Sequence, residues 1–168
     1  MHLCALLYPQ NKKNRGLIMP RPKKKRLVHQ PPLYNSFKPV GVRMSSLESI
    51  SLTLDELEAI RLTDYLGKEH SEAAEEMEIS RSTFTRLVEK ARSKVAHFLI
   101  EGKQLYIEGG DIHFRGNILR CEHCGHMFKT DFDHSAEVCP ACGSPDLLDF
   151  AGGFGHGRCC RGFNQNRR

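Results

Sequence analysis

The first convincing helical period begins at Thr53. From there Leu54, Leu57, Ile60, Leu62, Tyr65 and Leu66 recur at helical intervals, which places them on one face of a helix. Thr53-Leu54-Asp55-Glu56 reads as a capping box, a Thr N-cap with a Glu three residues on, and Gly67 supplies the stop. A second, short helix is predicted over about Ser71 to Met77. A third begins after Ser80, a good N-cap, and carries Phe84, Leu87, Val88, Ala91, Val95, Phe98 and Leu99 as one apolar stripe that ends at Gly102. Beyond it, Leu105–Glu108 and Asp111–Phe114 flank Gly109-Gly110 and predict a small hairpin.

The flanks read differently. Pro20, Pro22, Pro31, Pro32 and Pro39 keep residues 20–40 extended. Residues 1–18 show little periodicity and read as a doubtful or disordered leader, with Met19 a second candidate start. Residues 151–168 are rich in Gly and Arg and poor in apolar side chains, the composition of a disordered tail. The expected organisation is a basic extended arm (19–45), a helix-turn-helix domain (46–110), a four-cysteine metal module (111–150) and that tail. The expected fold class is mainly α, with a small zinc-ribbon-like β module appended.

Charge sharpens this picture. Residues 1–45 hold ten Lys or Arg and no acid; residues 48–78 hold ten acids against two bases; residues 79–103 hold six bases against two acids. Positive charge gathered in an arm and one helix is the footprint of a phosphate-binding protein. No run approaches 18 apolar residues and no signal sequence is legible, so the expectation is a cytoplasmic protein with no membrane span.

Residues 70–90 fit a helix-turn-helix. Ala74 is the small residue where two helices cross, and Met77, Ile79, Phe84 and Leu87 are apolar anchors. Glu78 occupies a turn position of positive φ, where Gly is usual, at a cost of about 1 kcal/mol. The following helix presents Arg81, Ser82, Thr85 and Arg86 away from its stripe, residue types that read base edges and clasp phosphates. Lys90, with Arg92 and Lys94 beyond it, is placed to meet backbone phosphates, or merely water. Arg21, Lys23, Lys24, Lys25 and Arg26 in the arm would track the backbone or reach a minor groove.

Several runs carry a resemblance. They are Met19–Arg26, Phe37–Val42, Leu54–Leu62, Ala73–Met77 leading into Ile79-Ser80-Arg81-Ser82-Thr83-Phe84, and Ile107–Gly110. Over Met19 to Gly110 the chain resembles a small prokaryotic family of uncharacterised, predicted DNA-binding proteins whose helix-turn-helix is similar to region four of sigma factors. The resemblance implies DNA binding by prediction only. Glu78 departs from the family's usual Gly, and the cysteine region lies outside the shared core.

The strongest chemistry is Cys121-Glu122-His123-Cys124, 14 residues, then Cys139-Pro140-Ala141-Cys142, each pair followed by Gly125 or Gly143. Two such knuckles supply four sulfurs of a tetrahedral site. Zn²⁺ held by Cys121, Cys124, Cys139 and Cys142 is the simplest reading, and four thiolates leave no position for a catalytic water. Iron is the alternative, since the pattern also resembles rubredoxin-like knuckles. His123, His126 and His134 read as solvated loop residues. Cys159-Cys160 with His156 reads as a reduced thiol pair, or as a tail sensing metal or redox state, and Cys4 receives no role.

The reading is a sequence-specific DNA-binding protein acting as a transcriptional regulator, with duplex DNA as partner. A two-fold operator would call for a homodimer, although no dimer seam is legible. The alternatives are a small redox or metal-handling protein with a rubredoxin-like iron, and an RNA- or protein-binding adaptor docking through its ribbon. No nucleophile–base constellation or phosphate-cradling loop is found, so no enzymatic activity is expected.

Overall fold

A computed structural model describes residues 25–130 and 136–154. Its three α-helices are α1 (Leu54–Ile60), α2 (His70–Glu76) and α3 (Arg81–Glu101). The eight strands are β1 (Arg26–Val28), β2 (Ser36–Phe37), β3 (Ser49–Leu52), β4 (Gln104–Ile107), β5 (Ile112–Phe114), β6 (Asn117–Cys121), β7 (Met127–Thr130) and β8 (Leu147–Asp149). They form three sheets: β1 beside β5, the order β2-β4-β3, and the order β7-β6-β8. The described protein is therefore mixed α/β, which overturns the expectation of a mainly α fold.

The helices begin and end where their signals stand. Glu56 accepts the Thr53 N–H at 2.9 Å, its half of the capping box. After Ile60 the helix widens into a π turn over Arg61–Tyr65, with the Leu66 N–H donating to the Arg61 carbonyl at 3.0 Å, before Gly67 turns away at φ +70°. Ser80 Oγ accepts the Thr83 N–H at 3.3 Å, and Gly102 closes α3 at φ +64°. Glu78 stands at φ +54° in the turn between α2 and α3, the only non-Gly residue of positive φ among the described residues. Around that turn Ala59, Leu62, Ala73, Ala74, Met77, Phe84, Leu87 and Val88 form one core, with Ile79 against it.

The strands follow long-range logic. Gly109-Gly110 separates β4 from β5, as expected, yet the two strands do not pair with each other. β4 runs antiparallel to β2 and parallel to β3, while β5 runs parallel to β1, Leu27 opposite His113. At φ +69° and +104° the two glycines carry the chain over the start of α1, where the Leu54 N–H donates to the Gly109 carbonyl at 3.2 Å. β1, assigned from sequence to an extended arm, is inside the fold: Leu27 and Val28 are buried, and the Leu27 N–H donates to the Met77 carbonyl at 3.2 Å.

A second core joins Val28, Leu52, Leu54, Ala91, Leu105, Ile107, Ile112, Phe114, Ile118 and Ala151. It draws on the arm, the helical region and the cysteine region together, so it runs through the boundaries drawn at 45, 110 and 150. Ala151 is fully buried and Phe154 packs on this core, so the first residues of the expected tail belong to the fold.

Three carboxylates at the start of α1 are buried: Asp55, Glu56 and Glu58 are 3%, 1% and 2% exposed. Each is met by cations or N–H groups. Arg26 pairs with Asp55. Lys90 and Lys94 from α3 reach Glu56 at 3.0 and 2.6 Å. Arg61 forks onto Glu58 at 2.6 and 2.8 Å, and the His29 N–H donates to Glu58 at 3.3 Å. Burial pushes the Glu56 carboxyl upward, but Lys94, the Thr53 N–H and Lys90 outweigh it and hold it below the usual carboxylate range.

Two outcomes follow. A depressed carboxyl stabilises the fold fully above its unfolded pKa, and that contribution is lost as pH falls through the folded value. Glu56→Gln should cost about 3 kcal/mol near neutrality, because Lys94 loses its buried partner, and should flatten the acid limb of stability against pH in denaturant titrations. Glu78→Gly should gain up to about 1 kcal/mol by relieving the left-handed backbone, read as a raised midpoint in the same titrations.

Candidate functional site

Two surfaces concentrate chemistry. In the first, β6 delivers Cys121 and the return from β7 delivers Cys139 into two knuckles of the same design. Gly125 N–H donates to the Cys121 carbonyl at 3.0 Å, and Gly143 N–H to the Cys139 carbonyl at 2.8 Å. Cys121 N–H donates to His126 at 2.9 Å, and Cys139 N–H to Ser144 at 2.8 Å. Glu122 N–H reaches the Asp146 carbonyl at 3.0 Å and holds the knuckles together.

The sulfurs of Cys121, Cys124, Cys139 and Cys142 all lie within 4.8 Å of one another. Cys121 faces Cys142 at 3.6 Å and Cys124 faces Cys139 at 3.7 Å, one sulfur from each knuckle in either pair. A disulfide would need about 2.05 Å. A tetrahedron of sulfurs at about 2.3 Å from a central Zn²⁺ has edges of about 3.8 Å, so the spacing fits a four-thiolate metal site. His123 and His126 are exposed and outside the cluster, His126 stacking on Phe128 at 5.8 Å.

The protonation of this cluster shows why it suits a cation. Backbone N–H groups of Cys124 and His123, with neighbouring sulfurs, outweigh desolvation and bring the Cys121 thiol down to about 6. Cys142 goes the other way. The Ser144 N–H lowers it, but Cys124, desolvation, Cys121 and Cys139 together push it up to about 12. Four crowded sulfurs cannot all shed their protons unaided, and a dication at their centre removes that opposition.

The second surface is the N-terminal half of α3. Arg81, Ser82, Thr85 and Arg86 line one shallow cleft with Glu89. Arg81, Ser82 and Arg86 are exposed. Thr85 is half-buried, donating to the Arg81 carbonyl at 3.1 Å and lying 3.0 Å from His70 Nδ1. Arg81 and Arg86 have no hydrogen bond or ion pair with any described residue.

The other basic residues chosen from sequence stand elsewhere. Lys90 reaches Glu56 from a side chain that stays exposed, and Arg26 is paired with Asp55. Of the six basic residues between 79 and 103, four are in ion pairs: Lys90 and Lys94 with Glu56, Arg92 with Asp64, and Lys103 with Glu48 and Glu101. Lys25 is exposed. Arg21, Lys23, Lys24, His134, His156, Cys159, Cys160 and Cys4 lie outside the described residues.

What the sequence did not reveal is the carboxylate cluster. Asp55 and Glu56 were legible as first-turn acids, which favour a helix N-terminus wherever it lies. Their burial depends on β1 and α3 crossing that turn, and no local pattern encodes it.

No helix among the described residues is long and apolar enough to cross a membrane. No solved structure matches the chain. A UPF0251 protein of Chloroherpeton thalassium is 52% identical over 143 residues, 83% of this chain and 95% of that protein. UPF0251 proteins of Pelotomaculum thermopropionicum and Moorella thermoacetica are 47% and 44% identical, over 76% and 85% of this chain and 96% and 94% of theirs. Residues 15–115 match the family model described as "Protein of unknown function DUF134", and with that match and these relatives the chain belongs to the DUF134 family.

Proposed function

We propose that the protein binds double-stranded DNA through a helix-turn-helix formed by α2 and α3, as a transcriptional regulator, and that its four cysteines hold a structural Zn²⁺. The observation that carries the DNA reading is the pair Arg81 and Arg86. Both guanidinium groups are exposed and without an ion pair to any described residue, whereas Lys90, Arg92 and Lys94 of α3 are each in one. They flank Ser82 and Thr85 on the face turned away from buried Phe84, Leu87 and Val88. Arg81 and Ser82 also sit on the first turn of a 21-residue helix, whose dipole favours phosphate. Supporting this, Glu78 takes the left-handed backbone that lets α3 cross α2 tightly, with Ala74 and Met77 buried beneath.

The metal reading rests on the sulfur edges of 3.6 and 3.7 Å, close to the about 3.8 Å of a zinc tetrathiolate. Such an ion would have a closed coordination sphere and serve to hold β6, β7 and β8 together.

Fluorescence anisotropy with random-sequence duplex DNA across a salt series tests the first part. Affinity should fall steeply with salt. The Arg81→Ala/Arg86→Ala double variant should lose at least about 2 kcal/mol of binding and flatten the salt slope by about two. Affinity indifferent to salt, or equal in the variant, discards the reading, and preference for structured RNA replaces it with another.

For the metal, elemental analysis of purified protein should find one zinc per chain in a colourless sample, whereas a red sample containing iron would reject zinc. Cys139→Ser should lose the metal and the hydrogen-exchange protection of β6.

A further inference from the structure

The face that carries Arg81 and Arg86 also carries an acid. Glu89 lines the same shallow cleft as Arg81, Ser82, Thr85 and Arg86, and its side chain is exposed. At about 100° per residue, Glu89 falls about 80° around α3 from Arg81, and Arg86 about 140°. The carboxylate therefore stands between the two arginines around the helix, opposite buried Phe84, Leu87, Val88 and Ala91. It has no hydrogen bond or ion pair with any described residue, although arginines stand three residues before and after it. Arg92 forks onto Asp64 at 2.6 and 3.2 Å instead.

An acid in this place is unfavourable on a surface that meets only phosphates, since like charges repel across an interface. It is useful on one that meets base edges. In the major groove the N4 amino group of cytosine donates, and that base sets no acceptor beside it. The N6 amino group of adenine lies next to the N7 acceptor, which repels a carboxylate. A carboxylate thus selects cytosine, as a guanidinium fork selects guanine through O6 and N7. From Arg81 to Glu89 the helix rises about 12 Å, the length of about three to four base pairs, so one stretch of groove serves all three side chains.

We infer that Glu89 is a specificity-determining residue that takes the N4 amino group of a cytosine, and that α3 binds duplexes with G·C pairs at Arg81, Arg86 and Glu89. This rests on the DNA reading above and gives it a sequence class.

The test is selection of bound sequences from random duplexes by the full wild-type chain and by Glu89→Gln. Anisotropy titrations then compare the selected duplex, its single-base variants and an unselected duplex at one salt concentration. Wild type should select a cytosine at a fixed offset, at most about four base pairs, from a guanine. Each other base at that cytosine should weaken binding at least about fivefold. Glu89→Gln should lose the preference at that one position and move it toward adenine, whose N6 and N7 a carboxamide reads. The guanine positions should be kept.

If Glu89→Gln binds every duplex more tightly by the same factor, the acid only repels phosphate and the inference is overturned. An unchanged preference in the variant overturns it too, as does a relaxed position that is not cytosine. In each of these cases the DNA reading stands. No binding to any duplex overturns the DNA reading, and the inference with it.

Discussion

The structure depends on the neutralisation of three carboxylates at the start of α1. A carboxylate removed from water and left alone costs many kcal/mol, far more than a fold of this size can spare. Asp55, Glu56 and Glu58 are each at most 3% exposed, and their partners come from different parts of the chain: Arg26 from β1, Lys90 and Lys94 from α3, Arg61 from the following turn, and a backbone N–H from His29. The apolar cores supply most of the stabilisation, as burial of side chains such as Phe84 and Leu52 must. The carboxylates choose the arrangement. With β1 across the first turn of α1 and α3 alongside, Asp55 and Glu56 find cation partners that their own helix does not supply.

This constraint changes the meaning of the charge pattern. A block of ten acids followed by six bases reads from sequence as a nucleic-acid footprint, whereas much of it is internal complementarity. Glu56 with Lys90 and Lys94, and Asp64 with Arg92, join the acidic block to the basic helix. Arg26, read as an arm residue for phosphate, is part of the same arrangement. What remains outside these ion pairs is smaller: Arg81 and Arg86 on the first two turns of α3, both exposed.

Legibility in the sequence followed the range of the interactions involved. Caps and stops are local, so Thr53, Ser80, Gly67 and Gly102 marked the helices within a residue or two. Glu78 was legible as a strained turn because the need for positive φ is set by its immediate neighbours. The cysteine spacing encodes a knuckle within five residues, and the structure builds two of them alike. The β content was not legible in this way. β1, β2 and β5 are two or three residues long, too short for an alternation to register, and β1–β5 and β3–β4 are parallel pairs separated by the whole helical unit. Gly109-Gly110 looked like a hairpin because its sequence fits one. The partner of each flanking strand lies tens of residues away instead, and burial of Leu105, Ile107, Ile112 and Phe114 decides the pairing.

The cysteine region is also less separate than its spacing suggested. The Ile118 carbonyl accepts the N–H groups of Phe150 and Ala151 at 3.0 and 3.3 Å, and Ile118 and Ala151 are buried with Val28, Leu52 and Ala91 of the other elements. β6 therefore has one end in the shared core and the other at Cys121. A strand of five residues cannot shift at one end without moving the other. The sulfur cluster and the shared core are thus both served by this one short strand. The same core holds Leu54 and Ile112, which bracket the contact between Asp55 and the Gly110 turn. The sulfur cluster, the carboxylate cluster and the exposed arginines are three sites on one packed body, tied to one another through a few shared core residues.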